Sequence, residues 1–264
     1  MDYEDILFEI DGGTAVITMN RPARYNAFRA RTVEEMIHAL RRSWADHDVR
    51  AIILTGAGDK AFCTGGDVKQ RAETGDYGPS ESGLFEIGYL HKLLRDIPKP
   101  VIAAVNGLAI GGGHVLHVLC DVTIAADTAR FGQTGPKVGS FDAGFGSAYL
   151  ARVVGEKKAR EIWFWCRQYS AQEALEMGLV NTIVPAADVM AEARSWAAEV
   201  AERSPTALRV LKHSFNADTD HQAGLSNMAM AALDLFAVSD EGMEGAHAFA
   251  EKRPPDFARH HRPH

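Results

Sequence analysis

Short apolar runs of strand type, alternating with helix-patterned stretches, constrain this chain more than any other feature. They occupy residues 6–10, 15–19, 51–55, 101–105, 122–126 and, briefly, 179–184. The first two flank Asp11-Gly12-Gly13, a pairing that spells a β-hairpin. Residues 32–44 carry Val33, Met36, Ile37 and Leu40 on one helical face. A further helix runs to Asp96, closed by Pro98 and Pro100, and another short apolar helix follows Gly107 to Gly113. Residues 70–83 are rich in Gly, Ser, charge and Pro79, and predict a mobile loop. Residues 133–146 form a second, glycine-rich loop. Helices are then predicted over 187–203, 205–217, 222–238 and 241–252. The order is that of an α/β chain with a helical C-terminal region. Periodicity alone leaves a coiled β-spiral and a doubly wound sheet both open.

With 264 residues, 46% of them hydrophobic and 24% charged, the chain can bury a sizeable core, and disorder is excluded. A formal net charge of -7 argues against general nucleic-acid binding. Cys63, Cys120 and Cys166 have no zinc spacing and read as reduced core thiols of a cytoplasmic protein. The acidic start Met1-Asp2-Tyr3-Glu4-Asp5 lacks an apolar signal core, and no apolar run is long enough to span a membrane. His114 and His117 are three apart on one helix face without a third ligand at useful spacing. They read as satisfied core histidines, with no metal expected. The tail His260-His261-Arg262-Pro263-His264 reads as a solvated terminus.

Two segments carry chemistry. One is Ala61-Phe62-Cys63-Thr64-Gly65-Gly66-Asp67; the other is Gly107-Leu108-Ala109-Ile110-Gly111-Gly112-Gly113-His114. Each follows a strand, and the second opens a helix. Glycine lets backbone N–H groups approach a ligand without a Cβ in the way. A helix N-terminus adds unpaired donors and partial positive charge. Two such donors converging on one carbonyl oxygen make an oxyanion hole. Neither segment fits the dinucleotide or P-loop fingerprints, so NAD and ATP readings lose support.

In this order and separation, the two segments resemble those of the crotonase (enoyl-CoA hydratase/isomerase) superfamily, and the likeness extends from about Tyr3 to Phe257. It implies a crotonase (ClpP-like) β-β-α spiral over residues 1–200. It also implies a helical trimerisation region over 201–264 and a homo-hexamer built as a dimer of trimers. By the same likeness, the N–H groups of Gly66 and Gly112 grip the thioester oxygen of an acyl-coenzyme A. The two glutamates of a hydratase fall at Val115 and Gly135, so water addition lacks its acid–base pair.

The runs 111–117, 131–142 and 155–163 look like those of the 1,4-dihydroxy-2-naphthoyl-CoA synthases of menaquinone biosynthesis. The run 204–208, with 214–216 and 221–224, is similar to the 2-ketocyclohexanecarboxyl-CoA hydrolases. What the resemblance implies at the site follows residue by residue. Bicarbonate fills the space beside Gly135 as base, held by Gln133, Thr134, Gly135 and Trp163. Asp142, helped by Ser140, is a catalytic carboxyl group whose burial would raise its pKa. Tyr77, on a flexible active-site loop, is a catalytic residue whose hydroxyl bonds the enolate or ketone oxygen once the loop closes. Arg24 and Lys252 approach the coenzyme A phosphates, with Lys252 able to reach them from a neighbouring subunit. One departure is Ala237, where both relatives carry a tyrosine. The expected activity is Dieckmann-type ring closure of an acyl-CoA. Hydrolytic cleavage of a cyclic β-ketoacyl-CoA is the alternative, and a catalytically inactive acyl-CoA-binding protein is a third reading that rests on Ala237 alone.

Overall fold

A computed structural model describes residues 1–260; of the histidine-bearing tail, 261–264 lie outside the described residues. Strands β1 (Ile6–Asp11) and β2 (Thr14–Met19) form the expected hairpin, with Asp11 opposite Thr14. Gly12 and Gly13 both take positive φ, as a two-residue turn of matching twist requires. Helix α1 (Ala30–Ala45) buries Val33, Met36, Ile37 and Leu40, each contributing roughly 1.5–3 kcal/mol.

The chain then winds in repeating turns. Strand β3 (Ala51–Gly56) enters a first sheet and β4 (Ala61–Cys63) a second, before α2 (Val68–Thr74) and α3 (Ile87–Asp96) return the chain. Strands β5 (Val101–Val105) and β6 (Leu108–Ile110) repeat the step, followed by α4 (Gly112–Leu119). Strands β7 (Val122–Ala126) and β8 (Arg130–Gly132) repeat it again. Helices α5 (Leu150–Val154) and α6 (Glu156–Trp165), strand β9 (Gln168–Ser170), α7 (Ala171–Glu176) and β10 (Thr182–Val184) complete the spiral. The first sheet has the order β1-β2-β3-β5-β7-β10 and the second β4-β6-β8-β9. Apart from the β1–β2 and β8–β9 pairs, all pairings are parallel. Of the two arrangements the sequence left open, the β-β-α spiral is the one formed. Every residue of β3 and β5 is buried, because parallel strands are covered on both faces and read as unbroken apolar runs.

Helix α8 (Val189–Ala201) packs on the first sheet, and α9 (Pro205–Ala217), α10 (His221–Ala237) and α11 (Asp240–Ala250) follow within a few residues of their expected limits. Buried Lys212 anchors α9 to the core through the Asp121 carboxylate at 2.7 Å and the carbonyl oxygens of Leu94 and Lys99. Helix α10 lies against α3, and α11 against α2, so the C-terminal helices cover the elements that carry the site.

Three expectations need correction. The second sheet was invisible in the sequence apart from its consequences, because each of its strands has only three residues. The predicted loop over 70–83 begins later. Its first residues belong to α2, which Asp67 caps by accepting the Gln70 N–H at 3.2 Å and which Gly75 ends at φ 83°. His114 and His117 are core residues but not satisfied ones. His117 Nδ1 meets Thr123 Oγ1 at 3.2 Å, whereas neither ring nitrogen of His114 has a hydrogen-bond partner. Burial pushes the His114 imidazole down to about 3. The three cysteines are free and buried, and burial pushes the Cys63 thiol up to about 12. Among the described residues no helix is long and apolar enough to cross a membrane, and no group of three or more His, Cys, Asp or Glu side chains is placed to hold a metal ion.

Candidate active site

Strands β4, β6 and β8 lie side by side and parallel, so the loops that leave their C-terminal ends emerge together. Those loops carry Gly66, Gly112 and the run from Gln133 to Gly135. Ligands in parallel sheets gather at this end for the same geometric reason. Gly66 and Gly112 line one cavity with a free space of about 100 Å³. Among the described residues neither N–H donates to a protein acceptor. Gly112 is the first residue of α4, where no intrahelical acceptor exists, and Gly111 before it adopts φ 58°.

The two segments touch. A Cβ on Gly65 would stand 2.8 Å from the Gly112 nitrogen, and one on Gly112 would stand 2.6 Å from Phe28 Cζ. Only glycine permits this approach. Phe28 locks the first segment by donating its N–H to Gly65 O at 2.8 Å and accepting the Asp67 N–H at 2.9 Å. Arg21 reinforces it, bonding Asp67 Oδ2 at 3.0 Å and the Ala27 carbonyl. Asp5 in turn holds Arg29 and Thr32 at the start of α1, and the Arg29 guanidinium with the Thr32 hydroxyl lowers its carboxyl against the opposing effect of burial. The oxyanion loop is thus braced by a charged network reaching back to the first strand.

Among the described residues, Asp142 is the one carboxylate that lines the cavity. Its Oδ1 accepts the Gly146 N–H at 2.9 Å. Ser140 lines the same space, and its N–H donates to Gly135 O at 2.9 Å. Val115 and Gly135 also line the cavity and bring no carboxylate to it. Gly135 is tightly enclosed: a Cβ there would meet Ser140 O at 2.6 Å and Trp163 Cζ3 at 3.0 Å.

Gln133, Thr134, Gly135 and Trp163 line the same cavity, but their donors differ. Gln133 is 1% exposed and its Nε2 has no partner, so an amide N–H pair is available to an oxyanion. The Trp163 indole N–H is committed to Gly146 O at 2.6 Å and is not available. The residues present fit a bicarbonate held by Gln133 and Thr134, without the indole.

Tyr77 lies over Gly66; a Cβ on that glycine would be 2.5 Å from the tyrosine ring. The ring stacks on Phe85 with centroids 4.4 Å apart. The small free space owes much to this lid of two aromatics. A wider cavity of about 630 Å³ shares Thr64, Gly66 and Thr134 with the first and opens outward. Its walls include Arg24, Lys69, Lys137 and Arg253. Arg24 therefore stands where a phosphate-bearing ligand would enter. Lys252 is exposed, at φ 57°, and lies outside that wall, whereas its neighbour Arg253 is part of it. Arg253 is itself paired with Glu244. Ala237, at the end of α10, does not line the reaction cavity, to which α10 contributes Met230 and Leu233.

Two polar residues in the cavity were missed in the sequence, Arg71 and His91. Both sit on helices whose spacing looks ordinary. The one available signal was a histidine on the apolar stripe Ile87, Leu90, His91, Leu94. Arg71 is 3% exposed, bonds the Val138 carbonyl at 2.7 Å, and leaves its Nε unpaired.

Two N–H groups without protein acceptors thus meet at one cavity, at the ends of neighbouring strands of a β-β-α spiral. Residues 9–260 match the enoyl-CoA hydratase/isomerase family model, and the chain belongs to that family, the crotonases, as an acyl-CoA-processing enzyme. It is similar to an enoyl-CoA hydratase/isomerase from Pseudoalteromonas atlantica T6c (27% identity, covering 96% of this chain and 100% of that one, TM-score 0.87). A carnitinyl-CoA hydratase from Mycobacterium avium shares 30% identity over 96% and 98% of the two chains, with a TM-score of 0.84. An enoyl-CoA hydratase from Bacillus anthracis shares 33% over 96% and 98%, with a TM-score of 0.73.

Proposed function

We propose that this crotonase forms a carbon–carbon bond by Dieckmann-type ring closure of an acyl-CoA, the reaction of a 1,4-dihydroxy-2-naphthoyl-CoA synthase. The observation that carries the reading is the cavity's acid–base inventory. Two free N–H groups face a single carboxylate, Asp142, while Val115 and Gly135 hold no glutamate. Hydration requires a pair of groups to deliver and activate water; enolate chemistry requires the oxyanion hole and proton handling at a second carbonyl.

The N–H groups of Gly66 and Gly112 hold the thioester oxygen as it gains negative charge. Bicarbonate, when bound at Gln133 and Thr134, supplies a base for the α-proton. The α-carbon then attacks a carboxyl carbon within the same acyl group. The new C–C bond forms and the C–OH bond of the protonated carboxyl group breaks; Asp142 in its acid form, hydrogen-bonded with Ser140, gives the departing hydroxyl one proton, water leaves, and the proton taken from the α-carbon returns Asp142 to its acid form. A free space of about 100 Å³ is well below the ~300 Å³ of usual ligand sites. Tyr77 and Phe85 therefore move aside to admit the acyl group and return over it.

A panel of o-succinylbenzoyl-CoA and cyclic β-ketoacyl-CoA thioesters, assayed with and without bicarbonate, tests the reading. The expected result is turnover of o-succinylbenzoyl-CoA that rises with bicarbonate and falls about 10²–10⁴-fold in Asp142→Asn. Equal turnover by wild type and Asp142→Asn sinks it. Cleavage of the cyclic thioesters alone assigns the hydrolytic direction instead. Coenzyme A thioester binding without α-proton exchange assigns an inactive binding protein.

A further inference from the structure

His91 has no role in the account above, yet it is set into the reaction cavity. The residue is 1% exposed, and neither ring nitrogen has a hydrogen-bond partner. Buried polar atoms are rarely left in that state, and a wholly unpaired imidazole beside a reaction centre requires an explanation. Its Nδ1 lies 3.8 Å from Oδ2 of Asp142. The other oxygen of that carboxylate is already held by the Gly146 N–H. Each carboxylate oxygen thus has one neighbouring donor group, Gly146 on one side and His91 on the other.

Among the described residues, no other charged side chain of the cavity is free to compete for the imidazole. From α2, Arg71 spends its guanidinium on the carbonyls of Val138 and Gly139. Tyr77, from the following loop, lies against Gly66 and Phe85. Helix α4 presents Val115, and α10 presents Met230 and Leu233, all without charge. Burial lowers the His91 pKa, and the Asp142 charge is the one influence that raises it. At neutral pH the ring is therefore uncharged, with one N–H to give.

We propose that His91 is the positioning residue of Asp142: its Nδ1–H donates to Oδ2 when the cavity closes on an acyl group, fixing the carboxylate's direction. The approach needed is about 1 Å, from the observed separation to ordinary hydrogen-bond length. Asp142 is then held from both sides, with its reactive oxygen aimed at the substrate. Side chains that orient an acid or base in this way act through it and need not touch the substrate. The inference rests on the reading of Asp142 as the proton-handling group.

Two measurements test it, one of which needs no turnover. Histidine ¹⁵N NMR on the whole enzyme is recorded with and without benzoyl-CoA, a thioester with no α-proton to lose. The expected result is a His91 ring protonated at Nδ1 with benzoyl-CoA bound, and a different tautomer balance in Asp142→Ala. A ring unprotonated at Nδ1, or one indifferent to Asp142→Ala, overturns the pairing. In the second arm, His91→Leu lowers kcat about 10- to 100-fold with little change in KM, the usual cost of losing an orienting partner. His91→Gln, whose amide still donates, recovers most of the rate. In an Asp142→Ala background, His91→Leu changes the residual rate less than twofold, because the two residues act as a unit. An equal loss in both backgrounds marks His91 as structural only and overturns the proposal. If no thioester of the panel is turned over while the NMR coupling is present, the ring-closure reading fails and the pair stands.

Discussion

Gly112→Ala is the sharpest test of the paired-amide site. The added methyl would stand 2.6 Å from Phe28 Cζ, 2.8 Å from Phe28 Cε1 and 3.3 Å from Gly65 Cα. The closest contact is about 0.8 Å short of ordinary van der Waals separation, so the neighbours must give by that amount. Phe28 cannot yield alone, because its backbone is hydrogen-bonded to Gly65 and Asp67 on either side of Gly66. The methyl therefore drives the two oxyanion segments apart. A misplacement on the order of 1 Å costs about 10²-fold in rate, equivalent to about 2.7 kcal/mol of barrier. Overpacking costs roughly 1–3 kcal/mol of stability, offset by up to about 1 kcal/mol from replacing a helical glycine. The thermal midpoint then falls by no more than about 12 °C for a chain of this size. The assay is exchange of the thioester α-proton in D₂O, which needs only the base and the oxyanion hole, read beside thermal unfolding. Gly224→Ala, also helical and with open space at its Cβ, is the control and leaves exchange unchanged. Wild-type exchange in Gly112→Ala, with the fold intact, refutes the assignment.

Other perturbations have equally definite outcomes. Gly135→Ala forces a methyl to within 2.6 Å of Ser140 O, so it should lose roughly 1–3 kcal/mol in a urea titration; an unchanged midpoint would mean the loop over 135–140 is looser than described. His114, folded at about 3 against an ordinary 6.5, binds a proton more readily when unfolded. Its contribution is therefore constant above pH 6.5 and declines as pH falls from 6.5 toward 3, by at most ~1.4 kcal/mol per pH unit. His114→Leu should flatten that part of the stability–pH curve, and an unaltered slope would show that the residue is not buried in its neutral form. Lys212→Met, which frees α9 from Asp121 and two backbone carbonyls, should cost about 2 kcal/mol and speed hydrogen exchange in α9. Protection that persists would mean apolar packing alone holds that helix.

The long elements were legible because their residues announce a period. α1 shows its buried face in Val33, Met36, Ile37 and Leu40, and β3 and β5 show unbroken apolar runs. The glycine segments could be read as donors through their family resemblance, since a lone glycine cluster at a strand end is as readily a tight turn. Short strands such as β4 and β8 carry too few residues to display any period. They exist because neighbouring turns of the spiral offer them a ladder.

By itself, then, the order of residues determined an α/β chain, the helical C-terminal region, and two backbone donors in glycine-bearing loops, since all three follow from local spacing and backbone freedom. Tertiary structure alone decided that those loops adjoin, that the Trp163 N–H is already spent on Gly146, and that Arg71 lines the same cavity as Asp142 with His91 beside that carboxylate. Each of these is a relation between segments far apart in the chain. Side-chain chemistry fixes what a group can donate or accept, but folding chooses which neighbour receives it.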